Sequence, residues 1–349
     1  MLKKKKIFNL EMNTDPVARL MHCTANGDVV RVSKGGVIDV SLYAEVGKMT
    51  PINNFIEEMD NVREKRFYLQ RTFSLGDMLM LVPLYRILVE LGYEPYIRTK
   101  PEYLDLLSAL RVHHQDSSGQ AKGYGINLDY VVERDHWDSR LQKKHRMEIY
   151  HMAVGLPFSA ENLDFSYEED RFPENVEEEP YIVFQGRGAV ERRGLPVQTI
   201  QDLLYFLNME KVKVIYIGEK ISGLEGLEGL TDLRFVKGSI TELFTLIANA
   251  KILISMDSAP LWLSHFTKTP VIALLGPGRD QERIALHPLY PEGAMSVRLE
   301  NEIGCKPCFE QSEKCEHRFD CMKLSKSDRI YQLIRPTVLK FWKVQSWRV

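Results

Sequence analysis

Three short stretches and one cysteine cluster bring together residue types that chemistry needs. The first is Ser74-Leu75-Gly76-Asp77, directly before the apolar run MLMLVPLYRIL. A glycine turn that opens a helix presents free backbone amides and the positive end of the helix dipole, which suits an anion. Asp77 falls in the first turn, and the competing reading is that Ser74 or Asp77 simply caps the helix. The second stretch is Gln185-Gly186-Arg187-Gly188, with Arg192 and Arg193 just beyond it. Planar guanidinium forks beside a glycine-rich strand end match the oxygens of a diphosphate, although an ordinary basic loop has the same composition. The third is Met256-Asp257-Ser258-Ala259-Pro260, after the apolar segment KILIS. Asp and Ser at a strand-to-helix turn can bond sugar hydroxyls or, through the helix amides, a phosphate; capping alone explains them equally well.

Four of the five cysteines, Cys305, Cys308, Cys315 and Cys321, crowd into one charged segment, while Cys23 stands apart. In a cytosolic chain such a cluster favours metal over disulfides. Four converging thiolates make a closed tetrahedral site for zinc or iron. Its role would be structural, because no position stays open for a substrate. Reduced thiols and disulfides are the alternatives.

The elements that must position these turns alternate along the chain. FYLQRT reads as a strand, the run from Ser74 to Gly92 as a glycine turn and one amphipathic helix, EPYIRTK as a strand and PEYLDLLSAL as a helix. LDYVVE is expected to be the next strand, before a histidine-rich helix near 143–154. The second half repeats the pattern with YIVFQG, PVQTIQDLLYFLNME, VKVIYIGEK, SITELFTLIANA, KILISMDS, APLWLSHFTK and TPVIALLGP. Such alternation implies parallel sheets with helices on their faces, wound so that ligands meet the carboxyl ends of the strands. Residues 1–65 read differently, as a small β-rich extension of antiparallel strands around Asn26-Gly27 and Gly35-Gly36 followed by a polar helical stretch. The expected organisation is this extension, a first domain over 66–165, an acidic proline-containing linker, a second domain over 180–326 that includes the cysteine loop 305–321, and a terminal amphipathic segment 327–349 that crosses back onto the first domain.

The chain has 349 residues, 44% hydrophobic and 27% charged, which is ample for two cores. A net charge of −2 disfavours a general nucleic-acid binder. No apolar run has the length of a membrane span, and the amino terminus lacks the apolar core of a secretion signal, so a cytoplasmic enzyme is expected. Lys3–Lys6 read as a solvated run, with weak attraction to an anionic surface as the alternative.

SLGDMLMLVPLYRIL resembles the amino-terminal motif of the heptosyltransferase-like glycosyltransferases, family nine. MDSAPLWLSHFTKTPVIALLGP resembles that family's carboxyl-terminal donor motif. The likeness spans roughly 66–323 and implies a GT-B fold: two Rossmann-like domains facing a cleft, with acceptor on the first and donor on the second. It implies inverting transfer of a sugar from a nucleotide diphosphate, commonly ADP-heptose, to a glycan or protein hydroxyl, with no cofactor for catalysis. Asp77 then takes the place of the general base, whose work a modestly raised pKa would help, beside Ser74 and Gly76 at the helix start. Arg193 stands where the family has a lysine, with Arg187 nearby; Gly218 and Glu219 match the nucleoside turn; Asp257, Ser258, Ala259 and Pro260 match the donor turn. Trp262 replaces a frequent histidine. It would stack on the donor base or sugar, unless it is a core aromatic. Arg279 and Arg283 match only loosely. Some relatives use a similar cysteine segment as an iron-binding finger. Two other readings remain at this point: a non-catalytic sugar-nucleotide-binding protein, and a transferase acting on nucleic acid through the extension. Oligomeric state is open.

Overall fold

The computed structural model describes residues 8–9, 21–23, 29–31, 37–38, 55–61, 63–119, 123–129, 144–175, 177–188, 193–218, 223–224, 232–233, 238–276, 283–299, 321–322 and 326–343. The chain divides into two compact units, 1–164 and 165–349. The division falls at the start of the acidic stretch expected to be a linker.

In the amino-terminal extension, Phe8–Asn9 (β1) pairs antiparallel with Val37–Ile38 (β4), and Met21–Cys23 (β2) with Val29–Arg31 (β3). Phe55–Asn61 (α1) follows. The first unit is then built on a four-stranded parallel sheet of Arg66–Gln70 (β5), Glu94–Thr99 (β6), His114–Asp116 (β7) and Tyr124–Asn127 (β8), in the order β7-β6-β5-β8. Phe67, Tyr68 and Leu69 of β5 are all buried, as a strand covered on both faces requires. Because β6 and β7 go to one side of β5 and β8 to the other, the winding reverses between β5 and β8. A crevice opens at such a reversal, outside the carboxyl ends of the strands.

Two local expectations are corrected here. The run after Ser74 is two helices, Leu75–Leu79 (α2) and Leu81–Glu90 (α3), that meet at Met80. Pro83 is the cause: it has no N–H to offer the Leu79 carbonyl and its ring crowds that oxygen. The fourth strand is Tyr124–Asn127, not LDYVVE: Leu128 and Asp129 already leave the strand, and 130–133 lie outside the described residues. Gly125 and Asn127 carry none of the apolar alternation that marks a strand. The tertiary reason for the glycine is the Tyr68 ring, 2.3 Å from where a Cβ on Gly125 would sit. Leu104–Ala109 (α4) and Arg146–Val154 (α5) complete the unit.

The second unit carries a six-stranded parallel sheet of Ile182–Gln185 (β9), Val214–Tyr216 (β10), Asp232–Leu233 (β11), Leu253–Met256 (β12), Val271–Leu275 (β13) and Ala294–Arg298 (β14). Its order, β11-β10-β9-β12-β13-β14, puts the unit's first and fourth strands side by side, with Phe184 opposite Ile254. The winding therefore reverses between β9 and β12. Helices Val197–Met209 (α6), Ile240–Ala248 (α7) and Ala259–Thr267 (α8) connect the strands. A reciprocal capping box between Ser239 and Glu242 starts α7.

The terminal helix Ser327–Lys343 (α9) was expected to cross back onto the first domain. Its apolar stripe packs into the second unit. Ile330, Ile334, Val338 and Phe341 recur at helical spacing and are all buried in the second unit's own core, with Leu203 and Leu207 of α6. Burying each such side chain is worth about 2 kcal/mol, which fixes the helix to that unit. Among the described residues, no helix is long and apolar enough to cross a membrane.

Candidate functional site

The first cluster lies at the reversal between β5 and β8. Past β5 the chain runs through Arg71 and Thr72 into α2. Arg71 is fully buried and donates from Nη2 to Asp77 Oδ2 at 2.6 Å and from Nη1 to the Leu128 carbonyl at 3.2 Å. Arg146, the first residue of α5, donates from Nη1 to Asp77 Oδ1, also at 2.6 Å. Each carboxylate oxygen thus has its own guanidinium. The Thr72 backbone N–H and hydroxyl donate to Asp129 Oδ1 and Oδ2 at 2.7 and 2.8 Å, which ties the β5 and β8 ends together.

Ser74 is the N-cap residue of α2, and Asp77 lies inside the first turn of that helix. The exposed Ser74 makes no capping hydrogen bond with its side chain, and its backbone sits at φ +60°, ψ 120°, strained for any residue with a Cβ. Such strain costs on the order of 1–3 kcal/mol and concentrates at functional turns. Gly76 is buried in the first turn of α2 beside Asp77. Asp77 itself is 4% exposed. Burial pushes its carboxyl up, but the charges and hydrogen bonds of Arg146 and Arg71 overcome this and bring it down to about 2. The raised value expected of a general base is therefore corrected: this carboxylate is held ionised.

The second cluster lies at the reversal between β9 and β12. Gln185 ends β9, and its Oε1 accepts from the Ser255 hydroxyl at 2.9 Å and from the Ser258 hydroxyl. Asp257 is 6% exposed, with Arg283 Nε 2.7 Å from its Oδ2. Arg193 Nη1 donates to the Asp257 carbonyl at 3.3 Å and lies 3.7 Å from Oδ2. Arg283, loosely matched to phosphate binding in the sequence, is buried and serves first as the counter-ion of Asp257. Arg193 keeps a quarter of its side chain exposed and can reach a ligand. Arg187 donates from Nε to the Leu195 carbonyl at 3.1 Å, holding the loop that carries Arg193. Ser258 is the N-cap of α8 in extended conformation and makes no capping bond with its side chain; Ala259 and Pro260 form the first turn. The amides at this helix start are oriented for an anion.

Gly218 follows β10 with φ +145°, a conformation other residues rarely adopt, and lies beside the Arg187 carbonyl. Trp262 is 4% exposed and stacks on the His265 ring at 5.2 Å, among the buried residues of α8. The His265 ring in turn lies 4.9 Å from His287.

The structure therefore brings together Arg187, Arg193, Gly218, Asp257, Ser258, Ala259 and Pro260 in the second unit. Ser74, Gly76 and Asp77 gather in the first. Glu219, Arg279, Cys305, Cys308 and Cys315 lie outside the described residues. Cys321 is buried, with its Sγ 3.3 Å from where a Cβ on Gly276 would sit. Among the described residues no group of three or more metal-ligating side chains forms. Sequence reading missed Arg71, Arg146 and Asp129. The one local signal was Arg71 itself, a charge just beyond the apolar run Phe67-Tyr68-Leu69.

Two parallel, doubly wound units, each with a polar cluster at its winding reversal, define a GT-B-type glycosyltransferase that uses a nucleotide-sugar donor. The chain belongs to glycosyltransferase family 9 (heptosyltransferase), whose family model matches residues 137–318. A family 9 glycosyltransferase from Veillonella parvula has a similar fold, at 14% identity and TM-score 0.55 over 79% of this chain and 97% of that one. The iron-containing dodecameric glycosyltransferase TibC from enterotoxigenic E. coli is also similar, at 14% identity and TM-score 0.58 over 79% and 77%. E. coli heptosyltransferase WaaC with ADP matches at 14% identity and TM-score 0.54 over 80% and 100%. No curated protein sequence matches the chain.

Proposed function

We propose that the protein transfers a heptose or related sugar from a nucleotide diphosphate, ADP-heptose first among the candidates, to a hydroxyl of a glycan or protein, with inversion at the anomeric carbon. The observation that carries this reading is the Arg193–Asp257–Arg283 group beside the α8 amino terminus, at the winding reversal of the second unit. Arg193 and the Ser258 and Ala259 amides hold the diphosphate and stabilise its charge as it leaves. Asp77, ionised throughout the neutral range, accepts the acceptor's proton as the new bond forms. WaaC with ADP and TibC in complex with ADP-D-β-D-heptose support the choice of nucleotide and sugar. A cytoplasmic location belongs to the same reading.

A thermal-shift screen against ADP-, GDP-, UDP- and CDP-sugars tests the donor, with the ADP-sugar expected to stabilise most. No response to any of the four would overturn the reading. Arg193→Gln is expected to raise the donor Kd roughly tenfold, the worth of one charged hydrogen bond. Calorimetry giving the wild-type Kd would remove Arg193 from the site.

The cysteine segment is read as a structural zinc or iron site, a reading that iron-containing TibC favours. Of its four thiols the described residues include Cys321, whose burial suits a ligand turned inward. A closed four-thiolate site would tie the loop down and take no part in transfer. Protein purified without chelator is expected to carry stoichiometric metal that Cys321→Ser diminishes. Metal-free wild type would rule the site out.

A further inference from the structure

A cavity of about 910 Å³ opens at the amino-terminal ends of the first unit's strands, a size that suits a small ligand. Arg66, Glu94, His114 and Tyr124, the first residues of β5, β6, β7 and β8, all line it. The Asp77 turn follows the other end of β5. The length of that strand, about 15 Å, therefore separates the cavity from the crevice at the winding reversal.

Part of the wall is fixed by the fold. The Tyr93 hydroxyl donates to Asp60 Oδ1 at 2.6 Å, and the Tyr85 hydroxyl accepts from the His113 N–H at 3.1 Å. His114 Nε2 is bonded to Ser108 Oγ at 2.6 Å. The rest of the wall is uncommitted. Arg66 and Glu94 are partners in register on neighbouring strands, and their opposite charges attract. They nevertheless form no ion pair: the Arg66 guanidinium lies 5.8 Å from the Tyr96 ring centroid, and the Glu94 carboxylate has no partner among the described residues. The side chains of His113, Gln115 and Tyr124 are likewise without a hydrogen-bond partner among the described residues.

These groups select the chemistry of a ligand. Two carboxylates, Glu64 and Glu94, stand against the one guanidinium of Arg66 in the lining, which disfavours an anion. A cation is disfavoured as well, because Arg66 already stands at the Tyr96 ring. What suits the cavity is a neutral molecule rich in hydroxyls. A tyrosine ring offers an apolar face to the C–H face of a sugar, while carboxylate, imidazole and carboxamide groups bond its hydroxyls.

We propose that this cavity is a second, non-catalytic saccharide site that takes a neutral oligosaccharide. Tyr124 lies against a sugar ring, and Glu94, His113 and Gln115 hold hydroxyls. The site does not rest on the transfer reading, since none of its residues belongs to the Asp77 or Asp257 groups. A glycan bound here leaves the Asp77 crevice open.

Saturation-transfer NMR on the full chain provides the test, with maltotetraose, cellotetraose, mannotetraose and chitotetraose as probes. At least one is expected to bind. Glu94→Gln is expected to raise its Kd about tenfold, the worth of one charged hydrogen bond, and Tyr124→Ala to abolish the signal. Both side chains are exposed, so the fold is preserved, which circular dichroism verifies. Asp77→Asn, where folded, binds the same probe as the wild type does. No binding of any of the four overturns the proposal, as does binding that neither Glu94→Gln nor Tyr124→Ala changes. Loss of binding in folded Asp77→Asn overturns it too, because the sugar then sits in the crevice. A response to choline or adenosine in place of the oligosaccharides has the same consequence. The donor reading is judged separately by the ADP-sugar thermal shift, which neither cavity variant alters.

Discussion

Asp77→Asn is expected to lower sugar transfer by about a hundredfold to ten-thousandfold, the range general-base catalysis supplies, with donor affinity unchanged. The amide has nearly the shape of the carboxylate but cannot take a proton. Donor affinity is spared because the Arg193 and Asp257 group belongs to the other unit. Stability should fall as well, by about 3 kcal/mol, because the buried Arg71 would lose its ion pair with Asp77. Turnover must therefore be measured where circular dichroism shows the variant folded. Asp77 has a depressed pKa, so its ionised pairs contribute stability above the ordinary carboxylate value of 3.8, and that contribution is lost as pH falls toward about 2. Its protonation accordingly places no acid limb in the rate profile at mildly acidic pH. Normal turnover by folded Asp77→Asn with donor bound would dismiss the carboxylate as base.

Mild acid is expected to destabilise the second unit through His265 and His287. Burial pushes His265 down to about 4, against the pull of the Leu261 carbonyl, to which its Nδ1 is bonded at 3.1 Å. His287 is pushed well below its usual range by burial and then by the His265 ring, against the Ser264 and Thr269 backbone. Both are neutral in the fold, whereas the unfolded chain takes up protons below about 6.5. Stability is complete above that value and drains away as pH falls toward 4. His265 alone contributes a loss of about 3 kcal/mol, since each tenfold in proton affinity is about 1.4 kcal/mol. His265 lies on α8, which begins at the Asp257 turn, and His287 follows Arg283, so acid loosens the two segments that form the Asp257–Arg283 pair. Urea denaturation at pH 7.5 and 4.5 measures the loss. His265→Gln should shrink the difference between the two. An equal loss in the variant and the wild type would show that other groups carry the acid sensitivity.

Much of the fold was legible because apolar periodicity and glycine turns are local. The strands at 67–69, 182–185, 253–256 and 271–275 stand out as apolar runs ending in Gln, Asp or Gly, and the turns at Asp77 and Asp257 mark their carboxyl ends. The misreadings came from contacts made at a distance. The strand expected at LDYVVE lies four residues earlier, where Gly125 has no side chain to mark it and only the Tyr68 ring explains the glycine. Trp262 read either as a donor-stacking ring or as a core aromatic, and only the folded chain shows it buried against the His265 ring.

Residue types and spacing by themselves determined the alternation of elements, the two winding units and the places where polar turns leave the strands. Tertiary structure alone decided the charge state and freedom of the groups on those turns. Arg146 reaches Asp77 across 69 positions of chain, and Arg283 is folded back onto Asp257. A hydrophobic pattern depends on neighbours three or four residues away, so it can be read along the chain. A carboxylate's proton affinity depends on whatever charge stands a few ångströms off in space, from any part of the sequence.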